Sequence, residues 1–184
     1  MNEAGRLFWD YVISENIVLV LHIGLLLIIV ETPKLRESFL SGLKITAGLT
    51  TSILTGWLLS FYISSGLSFI MPGVYFLTSL SGIYIVKKLD KLKGEWMEGL
   101  PRMLLALSPF MGLQLFIEYT VQKNSITNIF IIMGCIIGFY LAYIIIAALK
   151  EQLKMNETEP IFKSEYNLLI VIGFLAAVLS SFNI

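Results

Sequence analysis

The sequence predicts an all-α membrane protein of six transmembrane helices, built as two inverted repeats of three helices. Composition is the first observation: 57% of the 184 residues are hydrophobic and 14% are charged, whereas a soluble domain carries about 25% charged residues. The second is a series of six apolar segments, and the third is the alternation of basic residues between the loops that join them. The formal net charge is zero, which argues against nucleic-acid binding, and a single cysteine, Cys135, excludes an internal disulfide.

The six apolar segments divide the chain into two halves of three segments each. They cover residues 17–30, 39–60, 72–86, 103–117, 126–148 and 168–182. The first and fourth are shorter than the roughly 20 residues that cross the hydrocarbon core, and the fourth contains Pro109 and Gly112. Short or interrupted segments at matching positions of two halves are typical of inverted repeats with broken helices near the bilayer centre. We therefore expect one membrane domain, with residues 1–95 and 96–184 as its repeats and with the first and fourth helices short or broken.

The third segment has two possible starts. Pro72 either opens it or kinks a longer helix that begins near Leu67, because proline fits the first turn of a helix and disturbs its interior. The second and fifth segments are long enough to span the bilayer on their own.

Lysine and arginine residues predict the orientation of the six segments. If all six cross the membrane, the loops after the first, third and fifth segments share one face and contain most of the basic residues: Lys34, Arg36, Lys44, Lys87, Lys88, Lys91, Lys93, Arg102, Lys150, Lys154 and Lys163. The opposite face keeps Arg6 and Lys123. Because cytoplasmic loops carry the excess of Lys and Arg, we expect both termini on the extracytoplasmic side of the cytoplasmic (inner) membrane.

Small residues recur every four positions on the second and fifth segments. Gly48, Ser52 and Gly56 share this register on the second segment, and Gly134 and Gly138 share it on the fifth. Small side chains at this spacing let helix backbones approach closely, which favours helix packing inside a membrane. Packing within the chain is the favoured interpretation, and a seam with a second membrane subunit is the alternative.

Polar residues in or beside the first and fourth segments are candidates for handling ions or protons. His22 lies inside the first segment, Glu15 and Asn16 precede it, and Gln114 and Glu118 lie at the end of the fourth. An ionisable group within a membrane segment is a functional candidate, and helix breaks supply oxygen ligands for cations. The alternatives are a neutral His22 bonded to a backbone carbonyl, and glutamates that are solvated at the membrane interface. The sequence contains no motif for catalysis or for binding phosphate, zinc or a dinucleotide.

Four stretches resemble the integral membrane subunits of the Rnf and Nqr electron-transport complexes. ENIVLVLHIGLLL (residues 15–27) is similar to the family's first segment, and ETPKLRESFLSGLKIT (residues 31–46) to its basic turn and glycine. GCIIGFYLAYIIIAALKEQL (residues 134–153) resembles the glycine-rich fifth helix, and PIFKS (residues 160–164) the turn before the last helix. The matching positions are Asn16, Val18, Leu19, Val20, Gly24, Leu25, Lys34, Leu35, Gly42, Gly134, Gly138, Phe139, Lys150 and Glu151. The outward termini fit the Rnf A/Nqr E type.

The resemblance implies a membrane subunit of an ion-translocating electron-transport complex. Its partners would be a paralogous six-helix membrane subunit and redox subunits that carry flavin and iron–sulfur groups. In the family, a cysteine in each half contributes to an iron–sulfur cluster between the two paralogous subunits. Those positions fall at Leu26 and near Ser108 and Pro109 here, and Cys135 lies elsewhere on the fifth segment.

The missing cysteines predict a subunit without its own cluster. A two-iron cluster needs four thiolates, or two thiolates with two histidines, and this chain offers none at the matching positions. We therefore expect a non-catalytic subunit that binds no cofactor or metal itself. The alternative is a stand-alone small secondary transporter or ion-conducting protein built on the same inverted-repeat fold.

Overall fold

The computed structural model describes residues 3–16, 18–19, 23–31, 35–63, 69–89, 100–120, 127–155 and 165–181. Within these ranges the regular structure is helical and no strand occurs, so the all-α class is confirmed. The helices are α1 (Glu3–Trp9), a π-helical turn (Asp10–Ser14), α2 (Leu25–Glu31), α3 (Leu35–Tyr62), α4 (Met71–Leu89), α5 (Leu100–Thr120), α6 (Thr127–Met155) and α7 (Glu165–Ser181).

Helices α3 to α7 coincide with the second to sixth apolar segments of the sequence. Pro72 is the second residue of α4, and its side chain is exposed. Proline is tolerated there because the N–H that it lacks has no partner in the first helical turn. Helix α4 thus begins one residue before Pro72 and follows a 3₁₀ turn at residues 69–70, while Leu67, the alternative start of a longer helix, lies outside the described residues.

The first apolar segment is interrupted. The π-helical turn ends at Ser14 and α2 begins only at Leu25, with turns or irregular backbone at the described residues between them. Gly24 adopts φ of 78°, a conformation that residues with a side chain rarely take. Helix α2 then runs for seven residues, about 10 Å at 1.5 Å per residue, so it cannot cross a bilayer alone.

The fourth segment is not broken, and the prediction drawn from Pro109 and Gly112 is wrong on this point. Helix α5 runs through both residues without interruption and has 21 residues. A proline inside a helix removes one backbone hydrogen bond, but Pro109 is buried against the segment before α2. A Cβ added to Gly24 would lie 2.5 Å from Pro109 Cβ, and one added to Gly112 would lie 2.8 Å from Ile23 Cγ2. Neighbouring chain thus packs around Pro109, and such packing lets a helix accommodate a proline in its interior.

Helix α6 lies at the centre of the bundle, where it contacts the N-terminal helices and α2, α3, α5 and α7. Phe139, Tyr143 and Ile146 are completely buried along it. By length and apolar composition, one stretch of the described residues qualifies as a membrane-crossing helix, Ile129–Leu153 within α6. Six crossings and the inversion of the two repeats therefore stay predictions.

Helices α3 and α4 are antiparallel and pack through small residues. A Cβ added to Gly82 would lie 2.7 Å from the Gly48 carbonyl oxygen, and one added to Gly48 would lie 2.8 Å from the Gly82 carbonyl oxygen. The bare glycines therefore let the two backbones touch. Thr78 on α4 contacts both Ser52 on α3 and Gln114 on α5. These contacts bring the end of α3, the start of α4 and the end of α5 to the same end of the bundle.

Candidate functional site

Gln114 lies at the junction of α3, α4 and α5 and is 3% exposed. Its amide nitrogen donates to the hydroxyl oxygens of Ser52 at 2.6 Å and Ser79 at 3.1 Å. Its amide oxygen accepts a hydrogen bond from the Thr78 hydroxyl at 2.6 Å. Both amide N–H groups and one of the two acceptor positions are therefore used, in a network that joins three helices.

The network fixes which way the Gln114 amide points. The Ser52 hydroxyl donates its own proton to the Thr78 carbonyl oxygen at 2.9 Å, so it accepts from the Gln114 nitrogen. The amide oxygen lies on the side of Gly56, where an added Cβ would stand 2.5 Å from Oε1 and 3.3 Å from Tyr75 Cδ1. A side chain at position 56 would displace the amide, so this glycine is needed for Gln114 to occupy its place.

Gln114 also lines a small cleft between the same three helices. The cleft has a volume of about 30 Å³, and the residues around it are Ile53, Trp57, Ser60, Tyr75, Gln114, Ile117 and Glu118. A cavity needs about 10–15 Å³ to hold one water molecule. The cleft therefore accommodates one or two water molecules or a small ion, and it is too small for an organic substrate.

Glu118 is the one acidic residue among the described residues that line the cleft. It lies one helical turn beyond Gln114 on α5 and is partly exposed. Tyr75, whose side chain is almost fully buried, lines the cleft together with Glu118. The Ser60 hydroxyl donates to the Trp57 carbonyl oxygen at 2.7 Å. The residues that line the cleft thus carry a carboxylate, an amide and two hydroxyl groups, beside apolar side chains.

A second buried side-chain amide, that of Asn16, lies at the interruption of the first segment and is 1% exposed. Its nitrogen donates to the carbonyl oxygens of Val12 and Gly138, each at 2.9 Å. Its oxygen accepts from the backbone N–H groups of Val18 and Leu19, each at 3.1 Å. All four hydrogen-bonding positions of the amide are used, so Asn16 replaces backbone hydrogen bonds that the break removes. It therefore has a backbone-supporting role and no spare oxygen for a cation.

The predicted ion-handling residues fall in two places. Gln114 and Glu118 lie together in the cleft. Asn16 and Glu15 follow the π-helical turn, where Glu15 is exposed, and the two amides bond to different sets of residues. His22 lies outside the described residues.

The small residues of α6 contact the N-terminal helices. A Cβ added to Gly134 would lie 2.8 Å from the Phe8 carbonyl oxygen, and one added to Gly138 would lie 2.8 Å from the Tyr11 carbonyl oxygen. Gly138 also accepts the hydrogen bond from Asn16. The small residues of α3 contact α4 and Gln114, as described above. The described contacts of both small-residue rows are thus made within the chain.

The positions that the resemblance assigns to cluster ligands lie in neighbouring parts of the fold. Leu26 is the second residue of α2, while Ser108 and Pro109 belong to α5. The chain just before α2 packs on α5 where Gly24 meets Pro109. Leu26, Ser108 and Pro109 carry no thiolate, so the chain supplies no cysteine ligand for an iron–sulfur cluster at these positions.

Lys150 and Glu151, near the end of α6, have roles that the sequence pattern does not reveal. Lys150 Nζ donates to the Ile29 carbonyl oxygen at 2.6 Å, and Glu151 Oε2 accepts from the Leu35 backbone N–H at 2.8 Å. These bonds satisfy groups at the end of α2 and the start of α3 that have no partner within their own helices. The partners are 121 and 116 residues away along the chain, so no local spacing signals the interaction.

No protein-family model matches the chain, and no curated protein matches it. The residues and their geometry therefore carry the functional conclusion.

Proposed function

We propose that the protein is an integral membrane subunit of an ion-translocating electron-transport complex of the Rnf/Nqr type, and that it holds no iron–sulfur cluster of its own. The contact between the interrupted first segment and α5, at Gly24 and Pro109, is the observation that carries this proposal. Leu26 and Ser108, the positions that the resemblance assigns to cluster cysteines, both lie within two residues of that contact. Their closeness supports a common architecture with the family. The lack of a cysteine at either position supports the loss of the cluster.

The apolar surface of the bundle supports a place in the lipid bilayer. Large apolar side chains are exposed on each of α3 to α7, including Phe39, Leu58, Phe76, Tyr84, Leu115, Met133, Ile170 and Phe174. Monomeric soluble proteins rarely expose extended apolar patches, whereas lipid-facing helices require them. Helices α3 and α6 have 28 and 29 residues, which gives each a length of about 42–44 Å. This length exceeds the hydrocarbon thickness of about 30 Å.

The distribution of charge along the bundle supports the proposed orientation. The hydrogen bond between Glu151 and Leu35 brings the end of α6 to the start of α3. Because α4 is antiparallel to α3, its basic last turn, with Lys87 and Lys88, lies toward the same end. This end contains residues of the basic loops that the sequence assigns to the cytoplasm. The cleft with Glu118 lies at the opposite, extracytoplasmic end in this orientation.

A stand-alone small secondary transporter is the second candidate, and one observation favours it. The cleft at Gln114 and Glu118 places polar groups among apolar helices, and a purely architectural subunit has no need of such a site. Burying polar groups is costly unless they are hydrogen-bonded, so a polar cleft among apolar helices indicates a use for it.

Gentle anaerobic purification of the tagged full-length protein from its native membrane distinguishes the two candidates. The measurements are subunit identity by mass spectrometry and the content of iron, acid-labile sulfide and flavin. The proposal predicts recovery with a paralogous six-helix membrane subunit and with redox subunits, and an iron content fully explained by those partners. A protein that purifies alone, colourless and free of iron and flavin, would overturn the complex and favour the transporter.

A further inference from the structure

We propose that the cleft between α3, α4 and α5 binds one small monovalent cation of the size of Na⁺, with the Glu118 carboxylate as its charged ligand. The proposal stands on the geometry of the cleft and goes beyond the assembly proposed above. It requires no partner subunit, so its test and the purification experiment can fail independently.

Side chains that carry oxygen atoms suited to such an ion line the cleft. Glu118 supplies a carboxylate. The Gln114 amide oxygen accepts one hydrogen bond, from Thr78, and a carbonyl oxygen has a second acceptor position. The Ser60 hydroxyl donates its proton to the Trp57 carbonyl, which leaves its oxygen able to act as a ligand. Hard cations take carboxylate, carbonyl and hydroxyl oxygens, and complete their shells with water.

The three hydroxyls around Gln114 give the amide oxygen a fixed place. Ser52 and Ser79 hold the amide nitrogen, so the side chain cannot rotate by half a turn without losing both hydrogen bonds. A ligand oxygen held in advance does not lose conformational freedom when the ion binds. The network thus prepares one face of the site before an ion arrives.

The charge of the cleft favours a monovalent ion. Glu118 is the single carboxylate, and no lysine or arginine occurs among the described residues that line the cleft. One monovalent cation would neutralise the carboxylate, whereas a divalent ion would leave a net positive charge among apolar groups, where solvation is poor. Transition metals take imidazole or thiolate ligands, and no group of three His, Cys, Asp or Glu side chains comes together in the described part of the chain.

The size of the cleft excludes larger cations. A volume of about 30 Å³ holds about two water-sized particles. It therefore fits a partly dehydrated ion with one water molecule. Organic ammonium ions are excluded by volume, although Trp57 and Tyr75 have the aromatic faces that such ions prefer.

The test is the unfolding temperature of the purified full-length protein in detergent micelles as NaCl is increased. Ionic strength is held constant with N-methyl-D-glucamine chloride, whose cation is too large for the cleft. A ligand that binds only the folded state stabilises it by mass action. For a chain of 184 residues, we expect the wild-type unfolding temperature to rise by about 5 to 10 °C when Na⁺ is a hundredfold above its dissociation constant. The same titration with KCl shows whether the site selects between cations by their size.

Two variants and one control locate the site. Glu118→Gln removes the charge at nearly constant volume and should abolish the response to Na⁺. Ser60→Ala removes one ligand oxygen whose own hydrogen bond is local to α3, and should raise the half-saturating Na⁺ concentration roughly tenfold. Glu37→Gln is the matched control, because Glu37 is exposed in the first turn of α3, at the other end of that helix. It should respond to Na⁺ as the wild type does.

A wild-type protein that responds to Na⁺ no more than to N-methyl-D-glucamine overturns the proposal. So does a Glu118→Gln variant that keeps the full response. If Glu118→Gln does not fold, the Ser60→Ala variant provides the test. An unchanged half-saturating Na⁺ concentration in that variant rejects the site. A chain that is stabilised by Na⁺ through Glu118 but purifies alone would support the cation site and reject the electron-transport assembly.

Discussion

Replacing Asn16 with alanine tests whether one side chain stabilises the break in the first segment. The change removes four hydrogen bonds and leaves two buried backbone N–H groups, those of Val18 and Leu19, without the Asn16 oxygen. An unsatisfied buried donor costs about 1–3 kcal/mol, so the two together cost about 2–6 kcal/mol. The carbonyls of Val12 and Gly138 lose less, because an oxygen has two acceptor positions. Since the neighbouring backbone relaxes in part, we expect a loss of about 3 kcal/mol in the free energy of unfolding.

The assay is thermal unfolding in detergent micelles, followed by circular dichroism. One kcal/mol corresponds to about 2–4 °C for a chain of this length, so Asn16→Ala should lower the unfolding temperature by about 6–12 °C. Amide hydrogen exchange at Val18 and Leu19 should become faster as well. Gln152→Ala is the control, because Gln152 is an exposed amide on α6, and its loss should change stability by less than about 0.5 kcal/mol. An unfolding temperature for Asn16→Ala within about 2 °C of the wild type, with unchanged exchange, would refute the reasoning.

Two further predictions concern packing and helix ends. Gly82→Ala should lower the free energy of unfolding by about 1–3 kcal/mol, because the new Cβ would stand 2.7 Å from the backbone of α3. Gly173→Ala, whose added Cβ has nothing within 4 Å, should raise the free energy of unfolding by about 0.5–1 kcal/mol through helix propensity. Equal unfolding temperatures for the two variants would contradict the glycine contact. Glu151→Ala should accelerate exchange of the Leu35 amide, while Glu151→Gln, whose side-chain oxygen still accepts, should preserve most of its protection. Exchange in Glu151→Ala that matches the wild type would show that this hydrogen bond does not hold the start of α3.

The apolar segments predicted five of the helices because length and hydrophobicity are local properties. The second to sixth segments became α3 to α7 with end positions shifted by several residues. Pro72 at the start of α4 also follows a local rule. The prediction of a break at Pro109 failed because its outcome depends on a neighbour: Gly24, distant in sequence, packs on the proline within the bundle.

The candidate site was predictable only in part. A glutamine and a glutamate one turn apart in an apolar segment identified Gln114 and Glu118. Their partners Ser52 and Ser79 lie 62 and 35 residues from Gln114, and no periodicity states which helix faces will meet. The adjacent hydroxyls of Thr78 and Ser79 within apolar α4 were the available signal, because hydroxyl groups in such helices commonly bond across helices.

Three hydrogen bonds that hold the N-terminal region in the fold can form only late in the synthesis of the chain. Each joins an early residue to one made much later: Asn16 to Gly138, Ile29 to Lys150 and Leu35 to Glu151, at separations of 122, 121 and 116 residues. A ribosome adds about 5–20 residues per second, so the first segment waits about 6 to 24 s for α6 to emerge. During that interval Gly138, Lys150 and Glu151 have not been made, so these three hydrogen bonds cannot form. A nascent chain that stalls before α6 therefore presents an N-terminal segment without the long-range hydrogen bonds that hold it in the complete fold.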